Sequence, residues 1–101
     1  MELLIKFNNE DEAWMFERTV QQLQKDYGHT KDEAVDLLNK YHEKFTDPEF
    51  CKLHKIAVQT TDFFCHEESL AMADRVQFYE ALKNVPDEIR FIQWQRSQRL
   101  N

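Results

Sequence analysis

A chain of 101 residues has room for one domain and nearly excludes a second hydrophobic core. Acidic residues number 19 against 13 lysines and arginines, so the formal net charge is -6, while 42% hydrophobic residues suffice for a core. One glycine and two prolines exclude collagen-like chains, linker-rich chains and glycine loops that cradle phosphates. We therefore expect a single α-rich domain over residues 1–101.

The N-terminal segment and the cysteines bear on the compartment. Met1 to Asn8 carry an apolar stretch that is too short and too charged for a signal peptide or a membrane span. Without an export signal, Cys51 and Cys65 are expected to be reduced thiols. These features predict a cytoplasmic protein that does not enter a membrane.

The charge is unevenly distributed along the chain. Residues 1–50 hold 12 acidic and 6 basic side chains, whereas residues 51–101 hold 7 of each. This field disfavours nucleic acid and favours basic protein partners or plain solubility. Arg90, Arg96 and Arg99 form the basic patch, which is weak evidence for nucleic-acid binding.

Alternation in residues 2–7 predicts a short strand, with Leu3, Ile5 and Phe7 on one face. Asn8 or Asn9 then offers an N-cap for a first helix that ends at Gly28, the expected C-cap. The apolar residues of this helix recur every three or four positions and define one narrow face: Ala13, Phe16, Val20, Leu23 and Tyr27.

Capping signals predict two further helices. Thr30 and Glu33 have capping-box spacing and open a second helix that runs to about Lys44. Asp47 and Pro48 open a third, over about residues 48–59, whose wide apolar arc predicts the most buried helix of the fold. Thr60, Thr61 and Asp62 either cap a new helix or lie inside a bent one.

The C-terminal part of the chain leaves one element open. A fourth helix is expected from about Glu67 to Lys83. Residues 87–96 begin like a helix, but their apolar residues alternate as in a strand, which could pair with residues 2–7. We favour a bundle of about four helices with a short two-stranded sheet from the chain termini; the alternative is an all-α fold of five helices.

Residue types that carry catalysis or bind metal are poorly spaced. Ser69 and Ser97 lack a nucleophile-elbow context, and no metalloprotease or di-iron motif is present. The best zinc candidates are Cys51, His54, Cys65 and His66, but adjacent Cys65 and His66 would point about 100° apart on a helix. We expect no metal and no cofactor. A Cys51 and His54 thiol site lacks an orienting third group.

Trp14 lies off the apolar face of the first helix, beside Arg18. An exposed tryptophan next to a cation is a plausible binding anchor, because tryptophan and arginine dominate interface hot spots. Alternatively, Trp14 packs under another element such as a terminal strand. We therefore name Trp14 and Arg18 as candidate binding residues.

Arg75 is the third candidate binding residue, because periodicity places it among apolar residues of the fourth helix. A buried guanidinium needs a carboxylate partner. That acid comes either from inside the domain, with Glu17, Asp36 and Glu43 of the acidic half as candidates, or from a partner across an interface.

Together these features predict a small acidic, non-enzymatic interaction or regulatory module, similar in charge and size to inhibitor or immunity-type proteins. Its partner is expected to be a protein with a basic surface or a second copy of the chain. The alternative function is a metal- or thiol-dependent enzyme or sensor that uses Cys51, His54 and Cys65.

Overall fold

Helices make up most of the structure. The computed structural model describes the backbone of residues 2–100, and all of their side chains except those of residues 61, 62, 65, 99 and 100. The helices are α1 (Glu10–Tyr27), α2 (Lys31–Phe45), α3 (Pro48–Leu53), α4 (Thr61–His66), α5 (Ser69–Val76) and α6 (Glu88–Leu100). α5 continues directly into a π-helix over Gln77–Ala81, here called the π segment. The predicted mostly α-helical bundle is confirmed.

The first two helices begin and end where the sequence signals place them. The Asn9 side chain accepts a hydrogen bond from the backbone of Glu12, and Gly28 closes α1 with a left-handed φ of 70°. The Thr30 side chain accepts from the Glu33 backbone and caps α2. Side-chain caps and one glycine therefore define both helices locally.

The core is a single cluster of aromatic and aliphatic side chains between α1, α2, α5, the π segment and α6. Tyr41 stacks on Phe45, and Phe78 contacts both Phe91 and Trp94. Buried Asp74 of α5 accepts hydrogen bonds from the Tyr27 hydroxyl and the Gln95 amide. A polar connection inside the core thus joins α1, α5 and α6.

The predicted terminal sheet is wrong: within residues 2–100 no strand forms. Residues 2–7 are extended, but Asn39 of α2 takes the place of a partner strand. Its Oδ1 accepts from the Leu4 backbone at 2.8 Å, and its Nδ2 donates to the Glu2 carbonyl at 3.0 Å. The predicted alternation holds, since Ile5 is buried and Leu4 is exposed.

The third helix is shorter and more exposed than its apolar arc predicts. α3 ends at Leu53, because Lys55 adopts a left-handed φ of 57° and the Ile56 backbone turns back to the Cys51 carbonyl. Residues 56–59 then form a loop held against α2, where the Gln59 backbone donates to the Phe45 carbonyl. Of α3, only Cys51 is buried. The prediction of a most buried helix over 48–59 is therefore wrong.

The helix predicted over about 67–83 corresponds to α5 and the π segment, which run without interruption from Ser69 to Ala81. Thr60 caps the separate helix α4 by accepting from the Phe63 backbone at 3.2 Å, which decides the alternatives for Thr60 to Asp62. The backbone is extended at Glu67 and Glu68, which separate α4 from α5. In the π segment the Leu82 backbone donates to the Gln77 carbonyl, five residues back, and the wide turn buries three consecutive side chains: Phe78, Tyr79 and Glu80.

The favoured strand over 87–96 is also wrong, and the helical alternative is correct. Asp87 caps α6 by accepting from the Arg90 backbone at 3.1 Å. Among the described side chains of α6, Phe91 is the one that is fully buried, whereas Ile89 and Ile92 face outward, so the apolar residues do not share one face.

Candidate functional site

Trp14 lies on the surface of α1. Its residue surface is 64% exposed, so it does not pack under another element. The Arg18 guanidinium lies over the indole at 4.9 Å from the ring centroid. This distance is within the range of a cation–π contact, which favours this arrangement of the two side chains.

The indole borders a cleft of about 580 Å³ between α1 and the α4–α5 junction. Met15 and Leu70 contribute apolar surface to this cleft, and His66, Glu68 and Ser69 contribute polar groups. We call Trp14, Arg18 and this cleft the Trp14 surface.

Acidic side chains surround the Trp14 surface. Glu10, Asp11 and Glu17 are exposed and lie three or four residues from Trp14, on the same side of α1, and exposed Glu68 lines the cleft. Arg18 is the cation among them, and it is already engaged by the indole. The surface therefore combines one large aromatic ring with a negative rim.

Arg75 lies inside the fold. Its Nη2 pairs with Glu88 at 2.6 Å and with Glu67 at 3.3 Å. The guanidinium also lies over the rings of Phe91, at 4.6 Å, and Phe63, at 5.3 Å. Burial opposes the charge, but Glu88 and Glu67 outweigh it and raise the pKa of Arg75.

Of the two alternatives for the partner of Arg75, the structure shows the internal carboxylate, but the candidate acids of the first half of the chain are wrong. Both acids come from the second half of the chain and not from Glu17, Asp36 or Glu43. They reach Arg75 because the interruption between α4 and α5 and the capped start of α6 lie on either side of it. Arg75 thereby joins these two chain turns.

The cysteine and histidine candidates have separate environments. The Cys51 thiol is buried and donates to the Phe45 carbonyl at 3.4 Å, while the His54 ring packs on Phe50. Burial raises the pKa of Cys51, which works against thiolate chemistry near neutral pH. The Cys65 side chain lies outside the described residues. Among those described, no group of three or more His, Cys, Asp or Glu could hold a metal ion.

The basic patch of the sequence lies on α6. Arg90 and Arg96 are exposed there, and the side chain of Arg99 lies outside the described residues. The ring of Trp94 is directed inward against Phe78 and Tyr27, so it does not accompany these arginines on the surface.

The chain matches no protein-family model, no curated protein and no solved structure. Within the described residues, no helix has the length and apolar character that crossing a lipid bilayer requires. Function has to be inferred from the geometry of the chain itself.

The structure also forms a site that the sequence did not indicate. A groove of about 680 Å³ lies between α2, α3, the π segment and the loop before α6. Three lysines line it: Lys40 and Lys44, about one turn apart on α2, and Lys83, just after the π segment. We call it the lysine groove. Sequence periodicity could not find the groove, because Lys83 is distant in the chain from the two lysines of α2 and no sequence pattern predicted the π segment.

Proposed function

We propose that the protein is a small, non-enzymatic binding module that docks a basic segment of another protein on the Trp14 surface. The observation that carries this proposal is the exposed Trp14 ring with the Arg18 guanidinium in cation–π contact with it. Trp14 is 64% exposed, so a partner that covers its ring removes a large apolar area from water. Burial of this area favours binding.

The Arg18 contact supports an anchoring role for Trp14. A side chain that is already fixed in the free protein loses less conformational entropy on binding than a mobile one does. Tryptophan and arginine are also the residue types most enriched in interface hot spots. The pair therefore provides a pre-ordered anchor at the edge of an open cleft.

The acidic rim defines the kind of partner. Glu10, Asp11, Glu17 and Glu68 would attract lysine- or arginine-rich segments and repel acidic ones. With a net charge of -6, the whole chain adds to this selectivity. Binding should accordingly weaken as salt is added. A module of this kind would act by occupying a basic surface of its partner, as a regulator or an inhibitor does.

We also propose that the protein acts in the cytoplasm. The support is Cys51, which is a free and buried thiol, and reduced thiols are the rule in that compartment.

Peptide selection on the immobilised protein tests the proposed function. Panning a phage-displayed peptide library should enrich sequences rich in lysine and arginine that also carry an apolar residue. Selected peptides should bind at least tenfold more weakly to Trp14→Ala. They should bind equally well to the wild type and to Leu53→Ala, a matched variant that removes another exposed apolar residue, on α3.

Two outcomes would contradict the proposal. The first is a peptide set without basic enrichment, or one that binds Trp14→Ala as tightly as the wild type. The second is sedimentation equilibrium in which the wild type dimerises and Trp14→Ala does not, since a second copy of this chain would then cover the Trp14 surface. Denaturation of Trp14→Ala should show wild-type stability within about 1 kcal/mol, as is usual for surface substitutions.

A further inference from the structure

The lysine groove shares no lining residue with the Trp14 surface, so it can be considered independently of the proposed function. Its charge is opposite to that of the molecule. Three lysines line it against one carboxylate, that of Glu80, in a chain whose net charge is -6. On a protein that is otherwise acidic, a local excess of positive charge attracts anions to the groove and not to the rest of the surface.

The ion pairs of the groove leave one lysine available. Lys44 pairs with the buried Glu80 carboxylate at 3.1 Å, and Lys40 pairs with Asp36 at 2.9 Å. Within the described part of the chain, Lys83 forms no ion pair. An incoming anion would therefore contact Lys83 first and share the partly exposed ammonium groups of Lys40 and Lys44.

The backbone around Lys83 has an unusual conformation. The π segment ends at Ala81, and Lys83 itself adopts a left-handed φ of 55°. The Asn84 side chain fixes this turn by donating to the Phe78 carbonyl at 2.9 Å. π-helical turns and non-glycine residues with positive φ are both concentrated at functional sites. Here both conformations belong to the chain that forms one wall of the groove.

The remaining lining of the groove is mostly apolar. Leu37 and Phe50 lie on one side, and Val85 and Pro86 on the other. Val85 is 63% exposed, which leaves a large part of its side chain for a ligand to cover. A volume of about 680 Å³ falls within the range of small-molecule sites.

From these features we infer that the lysine groove binds a small organic anion with an apolar or aromatic body. Its anionic group lies against Lys83 and Lys40, and its body covers Phe50, Leu37 and Val85. The Glu80 carboxylate does not repel this ligand strongly, because Lys44 neutralises it. Neither half of the ligand suffices alone, since the cationic rim and the apolar wall belong to the same groove.

An NMR titration with phenyl phosphate tests this inference. In a two-dimensional 15N–1H spectrum, saturable shifts are expected at the amides of Tyr79, Ala81, Lys83 and Asn84. Inorganic phosphate has the charge without the body, and phenol has the body without the charge. Both controls should bind at least tenfold more weakly than phenyl phosphate.

Matched lysine variants assign the binding to the groove. Lys83→Gln and Lys40→Gln should each weaken phenyl phosphate binding at least threefold, whereas Lys31→Gln, in the first turn of α2 and outside the groove, should leave it unchanged. The same spectra report whether each variant is folded.

Equal affinity for phenyl phosphate and inorganic phosphate would overturn the inference, because the lysines alone would then bind the anion. Equal affinity for phenol would overturn it as well, since only the apolar wall would be used. Unchanged binding in both groove variants, or no saturable shift, would show that the groove is not the site. None of these outcomes depends on the Trp14 surface, so the two proposals fail separately.

Discussion

Arg75 and Trp14 occupy places opposite to those that hydrophobicity alone would give them. The charged side chain lies among phenylalanine rings, and the aromatic one faces solvent. Sequence periodicity located both exceptions, because each residue lies at a position that conflicts with the apolar face of its helix. Periodicity could not identify the partners of Arg75, since they depend on two chain turns that have no helical period.

Replacing Arg75 should distinguish its charge from its packing. Arg75→Ala is expected to lower the free energy of unfolding by about 3 kcal/mol, the lower end for a broken buried ion pair, because Glu88 and Glu67 can still reach water. Arg75→Met retains packing against Phe63 and Phe91 and should cost only about 1 to 2 kcal/mol. Urea denaturation of both variants measures the difference. Equal losses would show that packing contributes nothing.

At the scale of elements, capping residues were better guides than apolar patterns. Asn9, Thr30 and Asp47 mark real helix starts, because a side-chain cap is a contact between residues two or three apart. Residues 54–59 were predicted as helix but form a loop, because Gln59 is held against α2. Its backbone donates to the Phe45 carbonyl, and its side chain accepts from the Tyr41 hydroxyl. Such a contact spans 18 residues and leaves no local pattern.

The N-terminal segment depends on one side chain of α2. Asn39→Ala removes both hydrogen bonds to residues 2–4 and should cost about 1 kcal/mol. Native-state hydrogen exchange should show the Leu4 amide protected in the wild type and unprotected in this variant.

Asn39→Asp is the matched control for this prediction. Its carboxylate can still accept from the Leu4 amide, so protection of that amide should persist although the bond to the Glu2 carbonyl is lost. Protection of Leu4 in Asn39→Ala would show that packing of Ile5, and not Asn39, holds the segment.

At the scale of the whole molecule, opposite charges are separated between two surfaces. The negative rim lies around Trp14, and the lysine groove lies between α2 and the π segment. Composition predicted the first from the excess of acids in residues 1–50. It could not predict the second, because Lys83 is brought to the two lysines of α2 only by the packing of the π segment against that helix.

Stability should decrease as the solution becomes mildly acidic. His42 packs against Phe16 and Phe64, and burial lowers its pKa. The unfolded chain binds a proton at this histidine near pH 6.5 and the folded chain only at lower pH, so acidification favours unfolding. Thermal denaturation between pH 7.5 and pH 5.5 measures the decrease.

His42→Gln should show a smaller decrease over that pH interval than the wild type, while exposed His66→Gln should keep the wild-type decrease. If the His42 and His66 variants respond equally to pH, another group causes the dependence.

The lysine groove depends on the number of residues in the π segment. A π turn holds one residue more than an α turn, so a chain shorter by one residue between Gln77 and Ala81 could complete α5 as an unbroken α-helix. Every residue after that point would be rotated by about 100° relative to α5. Lys83 would then leave the groove wall, and α6 would meet the core with a different side. The extra residue thus places Lys83 beside the two lysines of α2 and completes the cationic groove of an acidic protein.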